Sequence, residues 1–285
     1  MIDILTKNRA GAIILSLLIL GASQFIIGDF STRAIAYLLL LFTQGLIFDY
    51  LCFRFKILGQ KSNMPLVLFS AVSVLVLPNL GLGIIIYGFV WLAAFFLAFE
   101  SGEDNSKSNN YIIYIGIILG IAQTINNISI LLMLPVFVLF LQTGARNSKG
   151  FVQSIIYFFM IILSFAGVLY VMEIEDKIYD LIPKLTFDYT VFDTILNKLF
   201  VPFLIASLSF HFLNLNSYRF RYPNKSKILN YTLLMQLIIA ILLVLFTAQT
   251  GLIIYFVYPS ALLLSFTFVY KNKSVFANAA FASII

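Results

Sequence analysis

Residues 64–99 read MPLVLFSAVSVLVLPNLGLGIIIYGFVWLAAFFLAF, 36 residues without a single charged side chain. As one helix the stretch would measure roughly 54 Å, against a bilayer hydrocarbon core of about 30 Å, so it is too long for a single crossing. Pro78-Asn79 supplies a break near its middle, because proline lacks a backbone donor and asparagine tolerates turn conformations. The stretch therefore reads as a tight hairpin, 64–77 with 80–99. A second tract, 111–143, repeats the pattern about Asn126-Asn127 and reads as 111–125 with 128–143.

Working outward, further apolar runs lie at 10–27, 34–53, 151–172, 199–216, 228–247 and 251–270, which brings the number of expected spans to ten. Composition agrees: 61% of the 285 residues are apolar and 11% charged, whereas a soluble domain carries about 25% charged residues. The chain reads as all-α, a single polytopic transmembrane helix bundle with nothing left over for a soluble domain. The first run follows Lys7 and Arg9, and Gly21-Ala22-Ser23 resembles a signal-peptidase site. The run continues to Ile27, which favours an uncleaved span. The stretch 274–285 is apolar but too short to cross, and reads as an interfacial stub or the start of an eleventh helix in a longer chain.

Alternate connections separate the basic residues. Lys7, Arg9, Arg54, Lys56, Lys61, Lys107, Arg146, Lys149, Arg219, Arg221, Lys225, Lys227, Lys271 and Lys273 fall on one side, with Arg33, Lys177, Lys184 and Lys198 on the other. Fourteen against four places both ends in the cytoplasm, N-in and C-in. Loop 100–110 departs from the rule, since Glu100, Glu103 and Asp104 outnumber Lys107. The third and fifth spans are also short, and either reads equally well as a re-entrant arm.

One cysteine, Cys52, and one histidine, His211, leave no disulfide and no His/Cys metal cluster, so neither a metal nor a cofactor is expected. The charge of +6 follows from basic cytoplasmic loops, and the expected partners are membrane lipids, not nucleic acid.

Three sets of polar residues are candidates for function. In the external loop 173–198, Ile174, Ile178, Leu181, Ile182 and Leu185 form one helical face, while Glu173, Asp176 and Asp180 form another at i, i+3 and i+7. Phe192, Ile195, Leu196 and Leu199 repeat the arrangement, with Asp188 and Asp193 on the wet side. Such carboxylates would serve as general acid or base, or hold a divalent cation against a phosphate; the plainer reading is a solvated face. In the eighth span Ser207, His211, Asn214, Tyr218 and Arg221 share a stripe that ends among Arg219, Lys225 and Lys227. That stripe would receive the phosphate of an anionic lipid, with His211 carrying a proton, or would simply glue helices together. Gln24, Asp29, Gln123, Asn126 and Asn127 form an outer polar group. Asp29 is placed like the first-external-loop carboxylate of lipid-dependent glycosyltransferases, although the loop here, 28–33, is far shorter. Gly116 and Gly120 are a small-xxx-small pair suited to close helix packing, and Asp49 is expected to pair with Arg54 or a neighbouring basic loop.

The opening Leu5-Thr6-Lys7-Asn8-Arg9, the break Leu77-Pro78-Asn79, the segment Val257-Tyr258-Pro259-Ser260 and the following Tyr270-Lys271-Asn272-Lys273 resemble an uncharacterised family of multi-spanning inner-membrane proteins of Bacteroidota. Where that family has a basic pair at the end of the fourth span, this chain has Leu97-Ala98-Phe99-Glu100. The resemblance implies a Gram-negative inner membrane and a role in building the cell envelope. Three functions compete: an enzyme or enzyme partner acting on polyprenyl-linked glycans or envelope lipids, with a bound polyprenyl phosphate or glycolipid; a non-catalytic subunit bound to other membrane proteins; and a small-molecule or lipid transporter.

Overall fold

A computed structural model of the protein describes residues 7–28, 30–59, 61–74, 76–77, 81–103, 108–125, 148–174, 176–179, 209, 233–240, 242 and 254–270. All regular structure among them is helical: α1 (Arg9–Ile27), α2 (Thr32–Arg54), α3 (Met64–Ser73), α4 (Leu82–Glu103), α5 (Ser108–Ile125), α6 (Ser148–Val171), α7 (Asp176–Tyr179) and α8 (Ile254–Tyr270). Residues 233–240 are helical as well. Within the described residues, four helical stretches are long and apolar enough to cross a membrane: Arg9–Ile27, Thr32–Arg54, Leu82–Ser101 and Val152–Val171.

Local chemistry sets the ends of these helices. The Asn8 side chain accepts from the Gly11 N–H at 3.0 Å and starts α1, while Gly28, at φ 77°, closes it by donating its N–H to the Gln24 carbonyl. Ser31 Oγ accepts from Ala34 N at 3.2 Å and starts α2 only a few residues later. Two helices end in paired Schellman bonds: Lys56 N to Phe53 O with Ile57 N to Cys52 O after α2, and Glu173 N to Tyr170 O with Ile174 N to Leu169 O after α6. The residue in the left-handed position is not glycine in either case, but Lys56 at φ 50° and Glu173 at φ 59°.

The centre of the molecule is α3, ten residues of which only Ala71 is not buried. At about 15 Å it spans only half a hydrocarbon core, and it ends at Ser73, five residues before Pro78. α8, α1 and α2 pack around it, α4 packs on α2 and α5, and α5 on α6. Residues 74 and 76–77 leave α3 as turns with Val76 and Leu77 buried, so the non-helical backbone is covered by protein. Leu233, Leu234, Leu237 and Ala240 join the same core.

A polar hub ties the centre together. Gln44 of α2 donates through Nε2 to the Ile85 carbonyl of α4 at 2.6 Å and accepts the Tyr258 hydroxyl of α8 at 2.9 Å. Gly88 allows this approach, since a Cβ there would lie 2.2 Å from Gln44 Oε1. The neighbouring Gly45 likewise leaves room for Phe69 of α3. Tyr258 stacks on Trp91 at 4.4 Å, with Phe48 and Phe69 against its other sides. From the hub Trp91, Phe95 and Phe99 run down α4 at i, i+4 and i+8 to a stacked contact with Phe55.

Candidate functional site

The aromatic ladder leads to one end of the bundle, where the start of α1, the end of α2, the start of α3, the end of α4 and the end of α8 meet. Three contacts define it. Arg54 lies over Phe96 and holds both Glu100 oxygens at 2.9 Å. The Tyr270 hydroxyl donates to the Leu58 carbonyl at 2.7 Å. The Asp49 carboxyl accepts the Leu66 backbone N–H and feels the charge of Arg9. Arg54 therefore does not pair with Asp49. Five residues apart on one helix, the two point about 140° away from each other, and each finds a partner on a different neighbour. The acidic departure in loop 100–110 is thereby explained in part, because Glu100 is neutralised by Arg54.

Asp49 acts as a cap supplied from another helix. Leu66 sits in the first turn of α3, whose N-terminal N–H groups have no partner within the helix, and Asn63 provides no side-chain cap. Ser62 Oγ takes the Met64 N–H at 3.2 Å. Pro65 has no N–H to satisfy, and Asp49 takes the next one along, with its negative charge at the positive end of the helix dipole.

Around this junction is a cleft of about 340 Å³ lined by Lys7, Arg9, Asp49, Lys61, Ser62 and Asn63, with Tyr50 and Phe53 on its apolar side. A second cleft of about 310 Å³, lined by Arg54, Lys56 and Gly59, adjoins it across Phe53 and Lys61. Lys61 Nζ lies 5.4 Å from the centre of the Phe53 ring. Lys7, Arg9 and Lys61 are exposed and form no salt bridge among the described residues, so three cations face one carboxylate. Asp49 is only 6% exposed, and its Oδ1 has no hydrogen-bond donor among the described residues. The cleft thus sets three cations at its rim, with exposed Tyr50 and Phe53 beside them.

Of the residues expected from sequence to carry function, those that are described do not line the cleft. Asp29, Asp180, His211, Asn214, Tyr218, Arg219 and Arg221 lie outside the described residues. Glu173 is the left-handed cap residue of α6, so it does not belong to the helix that begins at Asp176, and the two do not form one continuous helical stripe. Gln24 and Gln123 of the outer polar group are buried within the last turns of α1 and α5. Gly116 and Gly120 pack against Ser154, Phe158 and Ile161 of α6. Among the described residues no three His, Cys, Asp or Glu side chains gather as metal ligands.

Sequence reasoning missed the cleft, although its parts were visible: Lys7, Arg9 and Lys61 share the basic column, and Asp49 is a lone acid in an apolar run. The missing information was that α3 begins between them.

No curated protein and no solved structure matches the chain. A family of unknown function matches it over residues 1–285, from the basic start of α1 through the end of α8 and beyond, and the protein belongs to that family, DUF6427.

Proposed function

We propose that the protein is an integral inner-membrane protein of cell-envelope biogenesis that holds the phosphate of a polyprenyl-linked glycan or another anionic envelope lipid in the basic cleft. The observation that carries this reading is the convergence of Lys7, Arg9 and Lys61, none of them in a salt bridge among the described residues, on the first turn of α3. Exposed Ile47, Tyr50 and Phe53 run up α2 from the cleft and give a prenyl or acyl chain an apolar surface to follow. The side of the membrane follows from charge: Lys7, Arg9, Arg54, Lys56 and Lys61 belong to this end, and basic residues stay in the cytoplasm, which supports cytoplasmic termini.

Native mass spectrometry of the full chain in mild detergent tests the reading. The wild type is expected to retain a phosphate-bearing lipid, and the triple variant Lys7→Gln/Arg9→Gln/Lys61→Gln to lose it. A bare wild-type chain, or a variant that keeps the same lipid, overturns it.

A further inference from the structure

The two clefts at the basic end each have cations of their own, Lys7 and Arg9 in one, Arg54 and Lys56 in the other. They share only Phe53 and Lys61, whose ammonium lies 5.4 Å from the centre of the Phe53 ring. Arg54 is fixed in place. Its contact with Glu100 uses Nη2 alone and its guanidinium lies over Phe96 and Phe55, so Nε and Nη1 keep donors without an acceptor among the described residues. Lys56 is exposed on the cap that follows α2, and Gly59 lines the second cleft without a side chain to fill it. Among the described residues the clefts are lined by five cations and one carboxylate, Asp49, and of the five only Arg54 has a salt-bridge partner. Retention in the cytoplasm calls for basic residues on this side, but not for one held by a carboxylate and two rings. Like charges gathered so closely repel unless anions lie between them, and a single phosphate in the first cleft leaves the second unfilled.

We infer that the two clefts form one site for a lipid headgroup with two phosphates set apart by a short spacer, as in a glycerol-bridged bisphosphate. This rests on the anionic-lipid reading above and names the class of lipid. One phosphate meets Lys7 and Arg9, the other meets Arg54 and Lys56, and the spacer passes the Phe53 ring with Lys61 between the two charges. Two directly joined phosphates share one bridging oxygen and fit within a single cleft, which leaves the other pair of cations unused. Once the first phosphate is seated, the second binds as an intramolecular step, so the joint affinity exceeds that of either cleft alone.

The test titrates the delipidated full chain in detergent with phosphatidylglycerol, diacylglycerol pyrophosphate and cardiolipin of identical acyl chains, with bound fractions read by native mass spectrometry. The wild type is expected to bind cardiolipin about tenfold more tightly than either of the others. Cardiolipin also carries more acyl chains, so the variant Arg54→Lys/Lys56→Gln, which keeps a cation for Glu100, separates the phosphates from the chains. Its cardiolipin affinity should fall about tenfold, while phosphatidylglycerol, held in the first cleft, changes less than about twofold. Lys56→Gln alone alters only an exposed side chain and should weaken cardiolipin by about threefold. Lys7→Gln/Arg9→Gln weakens all three lipids. A wild type that does not prefer cardiolipin, or a preference that survives in Arg54→Lys/Lys56→Gln, overturns the two-phosphate site alone, and so does diacylglycerol pyrophosphate binding as tightly as cardiolipin. Wild-type binding of none of the three overturns the lipid reading together with it.

Discussion

The α2–α4–α8 hub and the α5–α6 pair solve the same problem by opposite means. At the hub, large side chains fill the space and two directional bonds through Gln44 fix three helices at once. Between α5 and α6 the contact comes from missing side chains: a Cβ on Gly116 would lie 2.2 Å from the Ser154 carbonyl oxygen, and one on Gly120 would lie 2.9 Å from Ile161 Cβ. Burial follows the method. Of the apolar windows, 61% of that in α4 is buried and only 17% of that in α6, so α6 touches the described bundle along one narrow seam. In an apolar medium hydrophobic burial gives little drive between helices, so association relies on close backbone approach or on hydrogen bonds. This protein combines the two at the hub, where Gly88 makes room for Gln44, and relies on close approach along the α5–α6 seam.

The contrast breaks first at Gly116. Gly116→Leu is expected to cost about 3 kcal/mol or more, because the obstructing atom is backbone and cannot swing aside; thermal unfolding in detergent measures it, and an unchanged midpoint would show that the two helices are not in close contact. At the hub, Gln44→Leu removes two bonds and leaves the Tyr258 hydroxyl buried without a partner, for about 2–3 kcal/mol. Adding Tyr258→Phe to that variant should cost less than about 0.5 kcal/mol more, since the bond it would break is already gone. A fully additive double variant would mean that the two side chains act independently.

Smaller effects sharpen the comparison. Glu173→Gly, at the far end of α6, should stabilise by about 1 kcal/mol, because glycine adopts the left-handed cap conformation without the cost a side chain brings there. A loss of stability would mean that the Glu173 side chain has a structural task. Ser154→Ala removes a hydroxyl that is buried without a hydrogen bond among the described residues, so it should be neutral or stabilising by about 0.5 kcal/mol, while a single loss at Tyr258 destabilises. If Ser154→Ala destabilises instead, the α5–α6 seam depends on a polar contact after all.

Helix positions were legible in the sequence wherever the signal is local. Asn8, Gly28 and Ser31 are ordinary cap residues next to long apolar runs; α1 starts and stops at the first two, and α2 starts at the third. α3 was less legible. Pro78 marks a break, yet the helix stops at Ser73, and its burial depends on α8, nearly two hundred residues later. Apolar periodicity cannot separate a half-length helix sealed inside a bundle from a full crossing, because both are apolar on every side. The candidate site was legible only as parts. Arg9, Asp49, Lys61 and Leu66 come from three stretches of chain, and no spacing rule joins them. Asp49 is instructive: its separation from Arg54 already forbade a pair on one helix, but nothing in the sequence pointed to a backbone N–H as its partner.

The hub also sets an order of events during synthesis. Gln44 must wait for Tyr258, 214 residues later, and Leu58 for Tyr270. At about 5–20 residues per second the ribosome needs roughly 10–40 s to bridge that interval. From its own synthesis until α8 is made, α3, too short to cross on its own, has α1 and α2 to pack against but no α8. The nascent protein therefore carries an open flank for most of its translation. A chain cut short before α8 would keep that flank permanently and be a ready target for membrane quality control.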